Sequence, residues 1–204
     1  MMTELPRKIT RLPAEDRRAQ IAQACLRALQ EHGHSGLTAR KVAAEAGMSL
    51  GHLTYHFKDM DAILAAGFEL AAEEVQRAGR EALIKPGGTA SERLDRFLRA
   101  GFAGDLMTPA HLRMRVDLWS AALTHPAIAA IEQRLYASHR EAVERLLDRM
   151  AAGYAYERIP AVADMIMATL DGLWLDWLRR GDQRAVNNGL ERCVLFARLR
   201  LGGS

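Results

Sequence analysis

Cysteine is nearly missing from this chain: two thiols, Cys25 and Cys193, in 204 residues. They lie far apart and in no CxxC or metal-ligand spacing, which excludes a disulfide scaffold. Two buried free thiols in a reducing compartment are expected instead. Prolines number six and aromatics make up 6%, and alternating β-branched runs are lacking, so strands are not expected. No stretch is long and apolar enough to span a bilayer; the nearest, Ile159 to Leu178, is interrupted by Asp164, Asp171 and Asp176. The N-terminus lacks the apolar segment of a signal peptide, so a cytoplasmic protein with no membrane partner is expected. There is no Gly-rich phosphate loop, nucleophile elbow or zinc motif, and His111, His125 and His139 are scattered. Neither an enzyme nor a cofactor or metal site is expected.

What the chain does have is helix-forming material. Apolar residues reach 49%, enough for a real core, and alanine, leucine, arginine and glutamate are frequent. Charge is unevenly placed. Residues 1–60 hold nine Lys or Arg against six Asp or Glu, while residues 61–204 hold nineteen of each. The whole net charge of +3 therefore sits in the N-terminal third, with four of the seven histidines. A positive end on a neutral body suits a protein that meets phosphate with one part only, and equally a solvated basic end with no partner.

Residues 1–12 are basic and read as a flexible arm carrying Arg7, Lys8 and Arg11. A helix is expected to open near Pro13, with Ile21, Cys25, Ala28 and Leu29 on one stripe. Thr38 is placed to cap a second helix, Gly47 to supply a positive φ, and Ser49 to cap a third. Lys58 and Asp59 lead into a longer helix to about Ile84, in which Gly67 and Gly79 read as weak points of ~1 kcal/mol each. The run Pro86-Gly87-Gly88 is the clearest break. Helices are expected at 91–103, 110–122 and from Pro126 onward, then a second break from Gly153 to Pro160. The segment Pro160 to Arg180 is apolar nearly all round, so it must be covered on more than one side. A last helix is expected over Gln183–Leu199, making about nine helices and no sheet.

The stretch Thr38 to Phe57, TARKVAAEAGMSLGHLTYHF, carries the functional signal. Two short helices meet at a tight turn. Leu53 and Phe57, four apart, point inward; His52, Thr54, Tyr55 and His56 point outward or to the rim. Such a helix suits a DNA major groove. The whole pattern, over residues 17–64, resembles the TetR family of bacterial repressors. That resemblance implies an all-α fold: a three-helix helix-turn-helix DNA-binding domain at 1–60, then a six-helix ligand-binding and dimerisation domain at 61–204. It places Thr38, Lys41, Tyr55 and His56 near phosphates. Ser49, Leu50, Gly51 and His52 face bases, with His52 the best reader by chemistry and Leu50 either a thymine-methyl contact or a core residue. Two departures stand out: Thr54 where the family often has tyrosine, and Met60 where it commonly has lysine. Lys58 and the basic arm are positioned to compensate.

One reading helix covers few base pairs, and two copies spaced by one DNA turn, about 34 Å, read a palindrome. A homodimer is therefore expected, through the helices around Pro160–Arg180 and Gln183–Leu199, with Gly172 allowing close approach. The stretches from Arg115 (RVDLWSAALTHPAIAAIEQRLYASHREAVERLL) and from Met167 (MATLDGLWLDWL) resemble the BetI-like subgroup, whose members sense small molecules. Candidate effector-contacting residues are Phe97, Phe102, Met114, Asp117, Trp119, Met167, Asp171 and Trp174. A carboxylate at Asp117 or Asp171 beside Trp119 or Trp174 would suit a cationic ligand, although pairing with Arg113 or Arg115 explains either aspartate as well. The expectation is a ligand-responsive transcriptional regulator. It would be a repressor that holds a palindromic double-stranded operator until a small-molecule effector releases it.

Overall fold

The structure, a computed structural model, describes residues 14–151 and 153–202; the basic arm and Pro13 lie outside the described residues. Among the described residues there are nine α-helices, two short 3₁₀ turns and no strand. They are α1 (Ala14–His32), α2 (Ala39–Glu45), α3 (Leu50–His56), α4 (Met60–Ile84), α5 (Ala90–Ala100), α6 (Pro109–Ala122), α7 (Pro126–Asp148), α8 (Ile159–Arg180) and α9 (Gln183–Leu201).

Local chemistry sets most of these boundaries. Thr38 accepts from Lys41 N at 3.3 Å and Ser49 from His52 N at 3.2 Å, so each short helix starts on a side-chain cap. Gly47 has φ +66° at the turn between them. Asp59 accepts from Ala62 N at 2.8 Å, and this starts α4 at Met60 rather than at Lys58. Thr89 and Glu92 close a reciprocal capping box ahead of α5. That helix ends at Ala100, three residues short of the expected end, and a 3₁₀ turn over Gly104–Met107 follows. The second expected break holds a 3₁₀ turn at Gly153–Arg158, and α9 runs two residues past its expected end, to Leu201.

Two apolar clusters organise the packing. The first joins Ile21, Cys25, Leu29, Val42, Leu53 and Phe57 of α1–α3 to Ile63, Phe68 and Val75 of α4. It extends into Met114 and Leu118 of α6 and Ile128, Ile131 and Leu135 of α7. The second gathers α5, the distal half of α7, α8 and α9 around Leu98, Leu147, Ile166, Leu170 and Cys193. So α4, α6 and α7 pass from under the N-terminal helices to the interior of the larger bundle. Gly67, a weak point by helix propensity, has a packing reason: a Cβ there would stand 2.9 Å from Cys25 Sγ. Both thiols are buried and free, and burial pushes the Cys25 thiol up to about 12. Among the described residues, no helix is long and apolar enough to cross a membrane.

Candidate DNA-reading surface and effector cavity

The helix α3 is held by two anchors. Leu53 is fully buried and Phe57, just after the helix, nearly so. Between and before them, Ser49, Gly51, His52 and Thr54 are exposed, and Tyr55 is 83% exposed. Leu50 is 40% exposed, which resolves its two readings toward the outer face. Thr38, Lys41 and Lys58 are exposed as well. The rings of His52 and His56 lie 5.4 Å apart and those of Tyr55 and His56 5.2 Å apart, forming one continuous edge. Thr54 Oγ1 donates to Gly51 O at 3.1 Å, and Lys41 Nζ to Gly36 O at 2.8 Å.

Two residues that motif reasoning passed over complete this surface. Arg18 of α1 donates to His56 O at the C-terminal end of α3, and its guanidinium lies 4.2 Å over the Phe57 ring. A cation there complements the negative end of the helix. The His56 imidazole is held below its ordinary pKa by desolvation and then by His52, Arg17 and Arg18. Arg17 and Arg18 thus add positive charge beside the exposed edge. Their position before the stripe of α1 gave the only hint, since nothing in sequence says that α1 ends up against α3.

A second site lies inside the bundle. Arg115 of α6, 8% exposed, places its guanidinium 3.7 Å over the Trp174 ring and 5.6 Å from that of Trp119. Trp119 Nε1 donates to Glu132 Oε1 at 2.9 Å, Trp174 Nε1 donates to Gly101 O at 3.2 Å, and Phe102 stacks on Trp174 with ring centres 5.0 Å apart. Arg115, Glu132, Tyr136, His139, Met167, Asp171 and Trp174 line a narrow cavity of about 20 Å³, room for one water. Among the described residues, Arg115 Nε and Glu132 Oε2 are buried side-chain atoms with no hydrogen-bond partner. Burial pulls the Arg115 guanidinium down and pushes the Asp171 carboxyl up; Arg115 opposes the latter shift. Burial, then Arg115, pushes the His139 imidazole down to about 4.

Of the eight effector candidates, Met167, Asp171 and Trp174 line this cavity. Trp119 and Phe102 support its walls. Met114 lines a neighbouring hollow of about 10 Å³ with His111 and Arg115, and Phe97 a surface hollow of about 220 Å³ with His139. Asp117 belongs elsewhere: its Oδ2 accepts from His34 N at 2.7 Å, and it lines a surface recess between α1 and α6. Among the described residues it forms no ion pair with Arg113, which shares its face one turn earlier, or with Arg115, which two residues' rotation puts on a different face. The Trp174 face considered for a ligand cation is covered by the chain's own Arg115. Arg115 and Trp119, four apart on α6, were a readable pair; Glu132, from another helix, carried no sequence signal. A wider charged recess of about 680 Å³ between α1, α4 and α5 reaches inward as far as His111.

Comparison with known proteins decides the family. The model for the C-terminal part of BetI-type transcriptional repressors matches residues 90–193, about half of the chain, and that for bacterial regulatory proteins of the tetR family matches residues 21–67. The chain belongs to the TetR family. As such it is a ligand-responsive, DNA-binding transcriptional regulator of the BetI-like kind, and regulators of this family bind their operators as dimers. The HTH-type transcriptional regulator BetI of Klebsiella pneumoniae (strain 342) is 26% identical over 160 residues, spanning 78% of this chain and 80% of that one. The BetI of Escherichia coli (strain K12) is 25% identical over the same shares. A crystallised Pseudomonas aeruginosa PAO1 protein, assigned as a transcriptional regulator, shares 29% identity over 96% of both chains with a TM-score of 0.81. The multidrug binding protein EbrR, crystallised with imidazole, shares 31% identity over 87% of this chain and 94% of its own, with a TM-score of 0.62.

Proposed function

We propose that this TetR-family regulator is a repressor whose homodimer holds a palindromic operator through α3 and the start of α2. Residues 1–60 are the DNA-binding part and residues 61–204 the effector and dimer part. His52, with Ser49, Leu50 and Gly51, reads base edges in the major groove; Thr38, Lys41, Thr54, Tyr55, His56 and Lys58 meet the backbone, with Arg17 and Arg18 adding charge. The observation that carries the reading is the 83% exposure of Tyr55 in a helix whose Leu53 is fully buried. An exposed aromatic beside the exposed His52 and part-exposed His56 imidazoles, on a rigid, twice-anchored helix, has no stabilising role within the protomer.

The twin subunit docks on α8 and α9. The outer face of α8 presents Ala161, Ala168 and Gly172, all exposed, and α9 presents Leu195 and Leu199 at 53% and 74% exposure. A small effector settles at Arg115, where space opens only if side chains move. A ligand that favours the opened arrangement lowers operator affinity by its preference for it, and by no more.

Electrophoretic or anisotropy titration with DNA from upstream of the gene tests the reading. His52→Ala is expected to lose discrimination against random DNA by about 1–3 kcal/mol. Tyr55→Ala and His56→Ala are expected to weaken binding to both DNAs alike. Equal losses for all three variants on both DNAs would contradict the assignment.

A further inference from the structure

Arg115 and Glu132 are oppositely charged, on neighbouring helices, around one cavity, yet each leaves a buried atom without a partner. Nε of Arg115 is a donor lacking an acceptor; Oε2 of Glu132 is an acceptor lacking a donor. Unmet buried groups of this kind are rare in folded proteins and call for an explanation. Each possible ligand charge can be weighed against these two atoms. A simple cation would answer Glu132, but it would approach Arg115, which already lies 3.7 Å over the Trp174 ring and so occupies the best aromatic face. A simple anion would answer Arg115, but it would face Glu132 and Asp171 together. A molecule with an acceptor at one end and a donor at the other satisfies both atoms and crowds neither charge.

We infer that the effector is a small bipolar molecule, a zwitterion carrying a carboxylate and an ammonium or N–H group, held between Arg115 Nε and Glu132 Oε2. This rests on the effector-site reading above and gives it a chemical class. The cavity of about 20 Å³ is too small for such a molecule as it stands. Its wall toward the surface hollow of about 220 Å³ is Val75, Leu135 and His139, which line both spaces. Displacing that wall joins the two into a volume that a linear amino acid can fill. His139 is neutral at pH 7, since its imidazole is pushed down to about 4, so moving it relocates no charge.

The test uses the full chain and three sets of probes of matched length: ω-amino acids from β-alanine to 6-aminohexanoate, the corresponding n-alkylamines, and the corresponding carboxylates. Readouts are the melting temperature, the tryptophan fluorescence (Trp119 and Trp174 at the cavity, Trp177 on α8) and affinity for upstream DNA. At least one ω-amino acid is expected to raise the melting temperature, change the fluorescence and weaken DNA binding tenfold or more. Its amine and carboxylate partners are expected to act at least tenfold more weakly. Arg115→Met and Glu132→Gln are each expected to abolish the response, and the double variant to melt no lower than the native chain, because both unpartnered charged atoms are then gone. An amine or a carboxylate as effective as the matched amino acid overturns the inference. So does silence from every probe, or a double variant that melts well below the native chain, since the pair would then be structural. If the ligand-free protein fails to bind upstream DNA, the regulator reading fails instead, and the melting and fluorescence arms still decide the ligand class.

Discussion

The carboxylate of Asp117 accepts a hydrogen bond from the backbone N–H of His34 at 2.7 Å, joining the middle of α6 to the loop that leads into α2. Arg115, at the proposed effector cavity, is two residues earlier on the same helix. Nearby, the ring of His34 meets that of His125 edge-on at 5.9 Å, and His125 Nδ1 lies 3.5 Å from Asp61 Oδ1 at the start of α4. The loop ahead of α2 and the start of α4 therefore touch α6 and the cap residue of α7 through polar contacts as well as through the shared core. Under the proposed mechanism, a shift of α6 on filling the cavity would reach the loop before Thr38 through this one bond.

Asp117→Ala tests that coupling. Loss of a hydrogen bond to a carboxylate costs about 1.5–3 kcal/mol, so a lower melting temperature is expected. The more telling expectation concerns effector response: the fold-change in operator affinity on adding a ligand that stabilises the protein should shrink, while the ligand's own affinity stays close to native. Thermal melts and paired titrations with and without DNA measure both. An unchanged fold-change would show that the bond stabilises without transmitting.

Stability should depend on acid through His111. The side chain is 3% exposed, and its imidazole is pushed down to about 4, first by burial and then by Arg115, with Asp105 opposing. In the unfolded chain a histidine titrates near 6.5. Between these values the unfolded state binds more protons, so stability rises with pH across the window. It is complete above about pH 6.5 and is lost as pH falls toward 4. The slope reaches at most about 1.4 kcal/mol per pH unit for one such group, and His139 adds to it in the same direction. Urea melts at pH 7.5, 6 and 5 should show this loss, and His111→Gln should flatten it.

Gly67→Ala should destabilise despite the better helix propensity of alanine. Its Cβ would meet Cys25 Sγ at 2.9 Å and Cys25 Cβ at 3.2 Å. Overpacking costs about 1–3 kcal/mol, against a propensity gain of about 1 kcal/mol. Cys25→Ala should cost stability in the native background but recover part of it beside Gly67→Ala. A double-mutant cycle by chemical denaturation reads that coupling.

Leu195→Glu with Leu199→Glu should split the proposed dimer while leaving the protomer folded, since both side chains already face outward. Sedimentation should give a monomer with native helical content, and operator binding should fall far more than binding to a single half-site. A dimer unaffected by two buried glutamates would place the twin subunit on another face.

Much of the architecture was legible because it is locally encoded. Thr38 and Ser49 cap helices through bonds within three residues, and Gly47 turns on its own conformational freedom, whereas Asp59 turned out to cap α4 rather than open it. The anchors Leu53 and Phe57 follow from four-residue spacing. Helix ends were less legible where a 3₁₀ turn competes with a helix, as after Ala100, because the hydrogen-bond patterns differ by one residue and little energy separates them.

By itself the amino-acid order determined the helical class, the two-helix DNA-reading motif and the outward edge from Ser49 to His56, since each depends on contacts between near neighbours in the chain. Tertiary structure alone decided that Arg18 would brace α3, that Asp117 would turn from the cavity to His34, and that Arg115 would cover Trp174 opposite a half-satisfied Glu132. The physical reason is the same in all three: each partner comes from a distant segment, and only the packing of α1, α6, α7 and α8 sets which face of one helix meets which face of another.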